Sequence, residues 1–309
     1  MTKKEKESRT GIELQSSLAR YLLTIKIGER IPNVRKLADR YQVSIGSISN
    51  ALTRLELVGA AKIEKRGHLG SFLEERSLGK LWDIAEGEPL IIALTLPSNP
   101  TYEGLATGLK QLLTKAGVEA YLIFIRGSRP RLTTLREHRC HLAVMSSFAA
   151  DGLCRETDEI VLNLPPGSWL SDHKVYYRRT KQISGTSLVV AIDKDSFDHE
   201  CITKLEFMGQ NVEYKSVSFM QIHRLLSEGK IDAAVWTKDD MSFNVNPDIL
   251  ERRLSPKVEE TIISTEKSTS LIIRAGSDSV RAIIEESINV DELLEIQQSV
   301  IAGDIVPEY

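Results

Sequence analysis

From residue 88 onward the chain alternates short apolar runs with amphipathic stretches, and this alternation constrains the fold more than any other feature. PLIIALTLP reads as a buried strand, TYEGLATGLKQLLTKAG as a helix with Leu105, Leu109 and Leu112 inward, and AYLIFIRG as a second strand; RLTTLREHR is a second helix and HLAVMSS a third strand. This βαβαβ order argues for α/β layering. It returns as SLVVAID, FDHECITKLEFMG, VEYKSVS, FMQIHRLLSEG and KIDAAVWT, so two similar lobes are expected. IVLNLPPGSWLSDHKVYYRRTKQISG lies between them. After the second lobe, STSLIIRAGSDSV offers a strand able to return to the first, followed by two helices.

The first 80 residues differ in charge. They hold 16 Lys+Arg against 9 Asp+Glu, a balance of +7, whereas residues 81–309 hold 24 against 34, a balance of −10. A small basic unit on a large acidic one points to a polyanion-binding head on a body with another task. At 309 residues and 41% hydrophobic, the chain can build two or three domains. Cys140, Cys154 and Cys201 are odd in number and widely spaced, which suggests buried free thiols in place of a disulfide framework or zinc site. LARYLLTIKIG is broken by Arg20 and Lys26 and no stretch reaches the ~18 apolar residues of a membrane span, so a cytoplasmic protein without membrane association is expected.

Inside the head, Leu14, Leu18, Tyr21, Leu22 and Ile25 mark one helix, closed by Gly28, and IPNVRKLADRYQ a second with Val34, Leu37, Ala38 and Tyr41 inward. VSIGSISNALTRLELVGA is a third, with Ser44 as its N-cap and a buried stripe of Ile48, Leu52 and Leu55. Its outward face is short and polar, with Ser47, Ser49 and Asn50, and carries no charge before Arg54. Two strands around RGHLG then make a wing tipped by Lys65, Arg66 and His68. Short hydrogen-bonding side chains let a helix lie deep in the major groove of double-stranded DNA while Arg54 and the wing hold phosphates. Ile45 reads either as core or as an exposed group for a thymine methyl.

The head resembles the winged helix of GntR-type bacterial repressors. The resemblance is carried by Pro32, Arg35, Leu37, Ala38, Val43, Ser44, Ala51, Leu52, Gly59, Gly67, Gly70 and Phe72, and it implies a DNA contact for Arg35. Ile45 and Ser49 stand where that family usually has arginines, so the operator does not carry over. A winged helix used for protein contact is the alternative.

The expected fold class is α/β: an N-terminal winged helix-turn-helix plus a two-lobed domain similar in plan to type II periplasmic-binding-protein-like domains. The expected boundaries are 1–78 for the winged helix, 79–88 for a linker and 89–309 for the effector-binding domain. Lobe I covers about 89–178 and 268–309 and lobe II about 179–267, with hinges expected near 175–185 and 262–272.

In open α/β sheets ligands bind at the carboxyl ends of strands. Those places hold Ser98, Asn99, Thr101 and Tyr102 after the first strand, Arg126, Ser128 and Arg129 after the second, and Ser146 and Ser147 after the third. The second lobe offers Asp193, Ser196, Ser218 and Thr237. Arginines and hydroxyls converging on helix N-termini suit a small anionic metabolite, a carboxylate or a phosphate ester; helix caps and solvated arginines are the plainer alternative.

No G-x-S-x-G, H-E-x-x-H, P-loop or G-x-G-x-x-G occurs, and no cofactor is expected. His138 and His141 flank Cys140 at a helix end, away from the expected cleft, and Asp172-His173 is the best remaining catalytic pair. An enzyme acting on a small anionic metabolite in the same cleft, with an appended winged helix, is the alternative to a regulator.

The whole chain resembles the YhfZ family of bacterial transcriptional regulators. ARYLL near the start, KRGHLGSF in the wing, residues 101–110, Ile125 to Gly127 and the terminal PEY carry the likeness. The resemblance implies a regulator and supplies little mechanism. A homodimer is expected because one winged helix reads only a short half-site; the linker around Trp82, or the last helices with Ile283, Ile284, Leu293, Leu294 and Ile296, could pair, or those helices could pack on lobe I.

Overall fold

The computed structural model describes residues 3–169, 173–179, 187–237, 247–262 and 267–309. The head contains α1 (Lys3–Leu23), β1 (Arg30–Ile31), α2 (Val34–Tyr41), α3 (Ile45–Leu57), β2 (Ala61–Lys65) and β3 (Ser71–Arg76), followed by α4 (Leu78–Glu86). Then come β4 (Leu90–Leu94), α5 (Pro100–Lys115), β5 (Ala120–Phe124), α6 (Ser128–Arg136), β6 (Leu142–Ser146), α7 (Ser147–Leu153), β7 (Asp158–Asn163) and β8 (His173–Arg178). The second repeat is β9 (Leu188–Ile192), α8 (Phe197–Glu206), β10 (Val212–Ser216), α9 (Ile222–Ser227) and β11 (Ala233–Thr237). It is followed by β12 (Ile249–Arg253), α10 (Pro256–Ile262), β13 (Thr269–Arg274), α11 (Asp278–Ser287) and α12 (Val290–Ala302).

Two compact units result. One takes Met1–Ile91, Gly108–Tyr121 and Gly276–Leu293, the other Ile92–Thr107, Leu122–Ala275 and Leu294–Tyr309. In the first, α1 packs against α3, α4 and α11, and the antiparallel order β1-β3-β2 forms the wing. Leu14, Leu18 and Leu22 recur every fourth residue, so α1 buries one stripe on the side where it meets α3 and α4, whose Ile48, Leu55 and Trp82 are buried as well. Arg76, buried at the end of β3, donates to the carbonyls of Leu22, Leu23 and Ile25 and pairs with Glu286 of α11. The guanidinium thus closes the open C-terminal end of α1.

The stretch 79–88, expected as a linker, is helical in α4, with Leu81 and Trp82 fully buried. Its glycines look like breakers but serve packing and capping. A Cβ on Gly79 would stand 1.8 Å from the Gly117 carbonyl oxygen, and Gly87 closes the helix at φ +72°. Burial of Trp82, Ile283, Ile284 and Leu293 within the chain removes them as a pairing surface.

The second unit is built on two five-stranded sheets. Their orders are β5-β4-β6-β13-β7 and β10-β9-β11-β8-β12, the same plan twice. In the first, β4 and β6 are parallel and β13 runs antiparallel to β6 and β7; in the second, β9 is parallel to β10 and β11, and β8 antiparallel to β11 and β12. The fourth strand of each sheet comes from outside its βαβαβ run. β8 therefore belongs to the second lobe, and the boundary expected near 178 moves back to before His173: Val175 and Tyr176 are buried among Val190, Val235, Ala234 and Trp236. The expected hinge spans overlap β8 and β13, which lie wholly within one sheet each. Residues 180–185 and 263–266 of those spans lie outside the described residues.

Candidate functional site

In the head, Asn33 and Ser44 cap α2 and α3, accepting the amides of Lys36 at 2.9 Å and Ser47 at 3.0 Å. Gln42 takes the left-handed conformation between them, φ 55°, and fixes the turn that presents α3. Ile48, Ala51 and Leu55 are buried, and Leu52 only in part. Ser49, Asn50 and Arg54 face solvent together, Ser47 is half-buried, and Arg35 is exposed at the start of α2. Ile45 is 45% exposed on this side and does not belong to the core. Val34 is exposed too, contrary to expectation, because α2 buries only Leu37 and Ala38.

The wing closes through the Arg66 amide on the Gly70 carbonyl at 2.8 Å. Lys65 and His68 are exposed at its tip. Arg66 is engaged: it pairs with Glu64 and lies over the Phe72 ring at 4.7 Å. Arg30 escaped the sequence reading. It pairs in register with Phe72, and a Cβ on Gly70 would stand 2.6 Å from its Nε, so this exposed cation borders the wing. Its signal was only a basic residue before the Ile-Pro that opens the second helical stretch.

Within the second unit, a cavity of about 280 Å³ opens where the carboxyl ends of β4, β5, β9 and β11 face each other. Of the expected effector residues, Ser98, Asn99, Tyr102, Arg126, Ser128, Asp193, Ser196 and Thr237 line it. Asn99 caps α5, accepting the Tyr102 amide at 3.1 Å. Tyr102 lies 4.7 Å from Trp169, ring centre to ring centre, and Phe219 stacks on Trp236 at 3.7 Å.

Five expected residues do not line the cavity. The Thr101 carbonyl accepts from Gln297 at 2.9 Å. Ser146 caps α7 through the Ala149 amide and donates to Asp198 at 2.7 Å, and Ser147 is buried against Ser270. Ser218 sits at the start of the 3-10 turn Phe219–Gln221 without a side-chain cap. Arg129 pairs with Glu200 at 2.9 Å and donates to the Lys194 carbonyl.

The lobes meet closely at the cavity rim. Arg126 pairs with both Asp193 and Asp195, and Ser128 Oγ accepts the Phe197 amide at 3.0 Å. A Cβ on Gly127 would stand 2.6 Å from the Asp195 carbonyl oxygen, and one on Gly152 2.1 Å from the Phe197 ring, so two glycines of one lobe admit the other. Asp193 also accepts the amides of Asp195 and Phe219 at 3.0 and 2.7 Å. The charges of Arg126 and Arg129 are therefore already answered by carboxylates of the second lobe.

The sequence reading missed Arg131, Trp169, His199, Phe219 and Trp236 as lining residues. Arg131 lies three residues after Ser128 on the same face of α6, a spacing that could have flagged it. His199 follows the Ser196 cap of α8; its Nδ1 accepts the Asp193 amide at 3.0 Å and its Nε2 lies 3.0 Å from the Val235 carbonyl. Nε2 must donate there, so the ring is neutral, and burial, with His173 beside it, pushes its pKa down to about 4. Trp169 and Phe219 lie outside any regular strand pattern.

Asp172 of the expected catalytic pair lies outside the described residues; His173 lines the cavity. Cys140 is buried and its thiol is pushed up to about 11 by burial, which makes it a poor nucleophile at neutral pH.

Residues 78–309 match the YhfZ C-terminal domain family, and residues 26–73 match a helix-turn-helix domain family. The uncharacterized protein YhfZ of Escherichia coli (strain K12) is 28% identical over 300 residues, covering 95% of this chain and 96% of that one. The crystal structure of YhfZ from Shigella flexneri superposes with a TM-score of 0.62 at 24% identity, covering 75% of this chain and 98% of that one. With three quarters of its length in that domain and a helix-turn-helix before it, the chain belongs to the YhfZ family.

Proposed function

We propose that this protein is a transcriptional regulator, not an enzyme, that binds double-stranded DNA as a homodimer through α3 and the wing and responds to a small anionic metabolite held between its two lobes. One observation carries the reading: a chain with a helix-turn-helix also holds a cavity whose lining comes from strand ends of both lobes, so a ligand there touches both at once. A ligand that favours one arrangement of the lobes shifts their population by its differential affinity. The basic head, with Ser49, Asn50 and Arg54 exposed on one helix face, supports major-groove reading.

The test is selection of duplexes from random-sequence DNA by the full-length chain. A two-fold symmetric site is expected, and Asn50→Ala is expected to weaken it by about 1–3 kcal/mol while relaxing preference at one base pair per half-site. Carboxylated and phosphorylated metabolites are then screened for a change in affinity of roughly 5- to 150-fold, the range of a typical coupling. Failure to select any sequence, or a monomer on DNA by light scattering, defeats the corresponding part of the reading.

A further inference from the structure

We infer that Arg30 holds a DNA phosphate at the wing, the contact that a count of wing cations gives to Arg66; this deepens the proposed function and rests on the head binding duplex DNA. β1 is only two residues long, and its side chains point opposite ways. Ile31 is 2% exposed and belongs to the core, so Arg30, its neighbour on an extended strand, points to the outer face of the sheet. Arg30 pairs with Phe72 and Phe72 with Glu64, which puts all three side chains on that face. From there Arg30 reaches the hairpin: a Cβ on Gly70 would stand 2.6 Å from its Nε, 3.0 Å from its Nη2 and 3.1 Å from its Cζ. Gly70 closes the wing by accepting the Arg66 amide, and its φ of +101° favours a residue without a side chain. A strand outside the hairpin thus lays a guanidinium along the hairpin's tip.

Two arginines meet at this tip, and they differ in how their charge is met. Arg66 pairs with Glu64 and lies over the Phe72 ring. Arg30 is exposed, and among the described residues its side chain makes no ion pair or hydrogen bond. The carboxylates that sequence and register place beside it are engaged. Glu29 accepts the Lys26 amide at 3.1 Å, and Glu64, two strands away at about 10 Å, holds Arg66. Lys65 is exposed at the same tip, and cations gathered on one edge strengthen the local pull on a polyanion.

A guanidinium grips a phosphate through two parallel N–H bonds. An arginine already paired must first give up its partner, whereas an unpaired one laid against the backbone brings its charge without that loss. A phosphate contact positions the head without reading sequence, so losing it weakens all duplexes alike.

The experiment titrates full-length protein into a labelled duplex of mixed sequence at several salt concentrations, with anisotropy giving the slope of log affinity against log salt. Arg30→Gln should lower the slope by about 0.9, the release from one phosphate contact, while Arg30→Lys, which keeps the charge, should leave it in place. Arg66→Gln should lower it by less than Arg30→Gln does, because Glu64 restrains that arginine. The fold-loss in affinity from Arg30→Gln should be the same on a selected site as on mixed sequence. Its melting temperature should stay at the wild-type value, since an exposed side chain that makes no bond is being shortened.

Equal slopes in wild type and Arg30→Gln overturn the inference. So does a larger loss from Arg66→Gln, or a loss confined to the selected site, which makes Arg30 a base contact. A lower melting temperature or failure of Arg30→Gln to fold makes Arg30 a structural brace of the wing and overturns it too. In each of these cases wild type still binds duplexes and the regulator stands; wild type that binds no duplex defeats the regulator and the inference with it.

Discussion

The outward face of α3 and the lining of the cavity are both polar, but they satisfy their groups in opposite ways. Ser49, Asn50 and Arg54 stand exposed, and no partner within the described residues fixes their side chains. In the cavity, Asn99, Ser128, Asp193, Ser196 and His199 each hold a backbone amide in place. Water serves an exposed group, while a buried one must find its partner in the fold. Open polar groups on the head are thus available for reading a groove, and committed ones in the cavity build its walls. A buried group left uncommitted, as Arg131 Nε is, stands out only against that second background.

The contrast is broken most directly by truncating each surface. Trp236 is nearly fully buried and stacks on Phe219, so Trp236→Ala is expected to destabilise the protein by roughly 3–5 kcal/mol, as large core truncations do. Asn50→Ala, on the open face, should stay within about 0.5 kcal/mol of wild type in stability and lose DNA affinity instead. Urea unfolding followed by circular dichroism measures both. A stability cost at Asn50 comparable to that at Trp236 would mean that the reading face is part of the fold's framework.

Acid should act on the cavity before it acts on the head. The His199 pKa is depressed to about 4 by burial and by His173, with Asp193 pulling the other way, so the folded state holds the neutral ring and disfavours protonation. Stability from this group is fully present above the unfolded value near 6.5 and is lost as pH falls from there toward 4, a change of roughly 3 kcal/mol over the window. Arg129 and Lys204 hold the Glu200 carboxyl low against the upward push of burial, so its contribution fades only below the ordinary carboxylate range. Unfolding midpoints at pH 7.5 and 5.0 should therefore differ in wild type and converge in His199→Gln. Equal slopes in the two proteins would remove His199 as the cause.

The difference between the two surfaces also explains how much the sequence revealed. The βαβαβ order and the Ser44 cap were legible because apolar period and cap chemistry are local signals, and both recur in β4 to β6 and α3. Eight of the cavity residues were legible from their position after strands. What failed was long-range. The glycines of 79–88 read as a linker because nothing local says that Gly117 approaches Gly79, and β8 read as lobe I because its partners β11 and β12 lie far along the chain. Ion pairing was equally hidden: Arg126 and Asp193 are 67 residues apart, and the sequence shows two charges without showing that they cancel.

The smallest predicted effect tests the same distinction inside the wing. Lys65 and Arg66 are adjacent and both exposed, so a sequence-level count gives each one phosphate contact. Arg66 is held by Glu64 and by the Phe72 ring, whereas Lys65 has no partner among the described residues. Lys65→Ala should lower the slope of log affinity against log salt by about 0.9, the release expected from one phosphate contact on duplex DNA. Arg66→Ala should change it by much less, since breaking the Glu64 pair must precede any contact and the freed carboxylate would repel the backbone. Anisotropy titrations of a labelled duplex at several salt concentrations measure each slope, and Glu64→Gln provides the third measurement: if pairing restrains Arg66, the slope steepens toward that of a free second cation. Equal losses from Lys65→Ala and Arg66→Ala in the wild-type background would show that DNA pulls Arg66 from its partner, and that a satisfied charge on an exposed wing is as available as an open one.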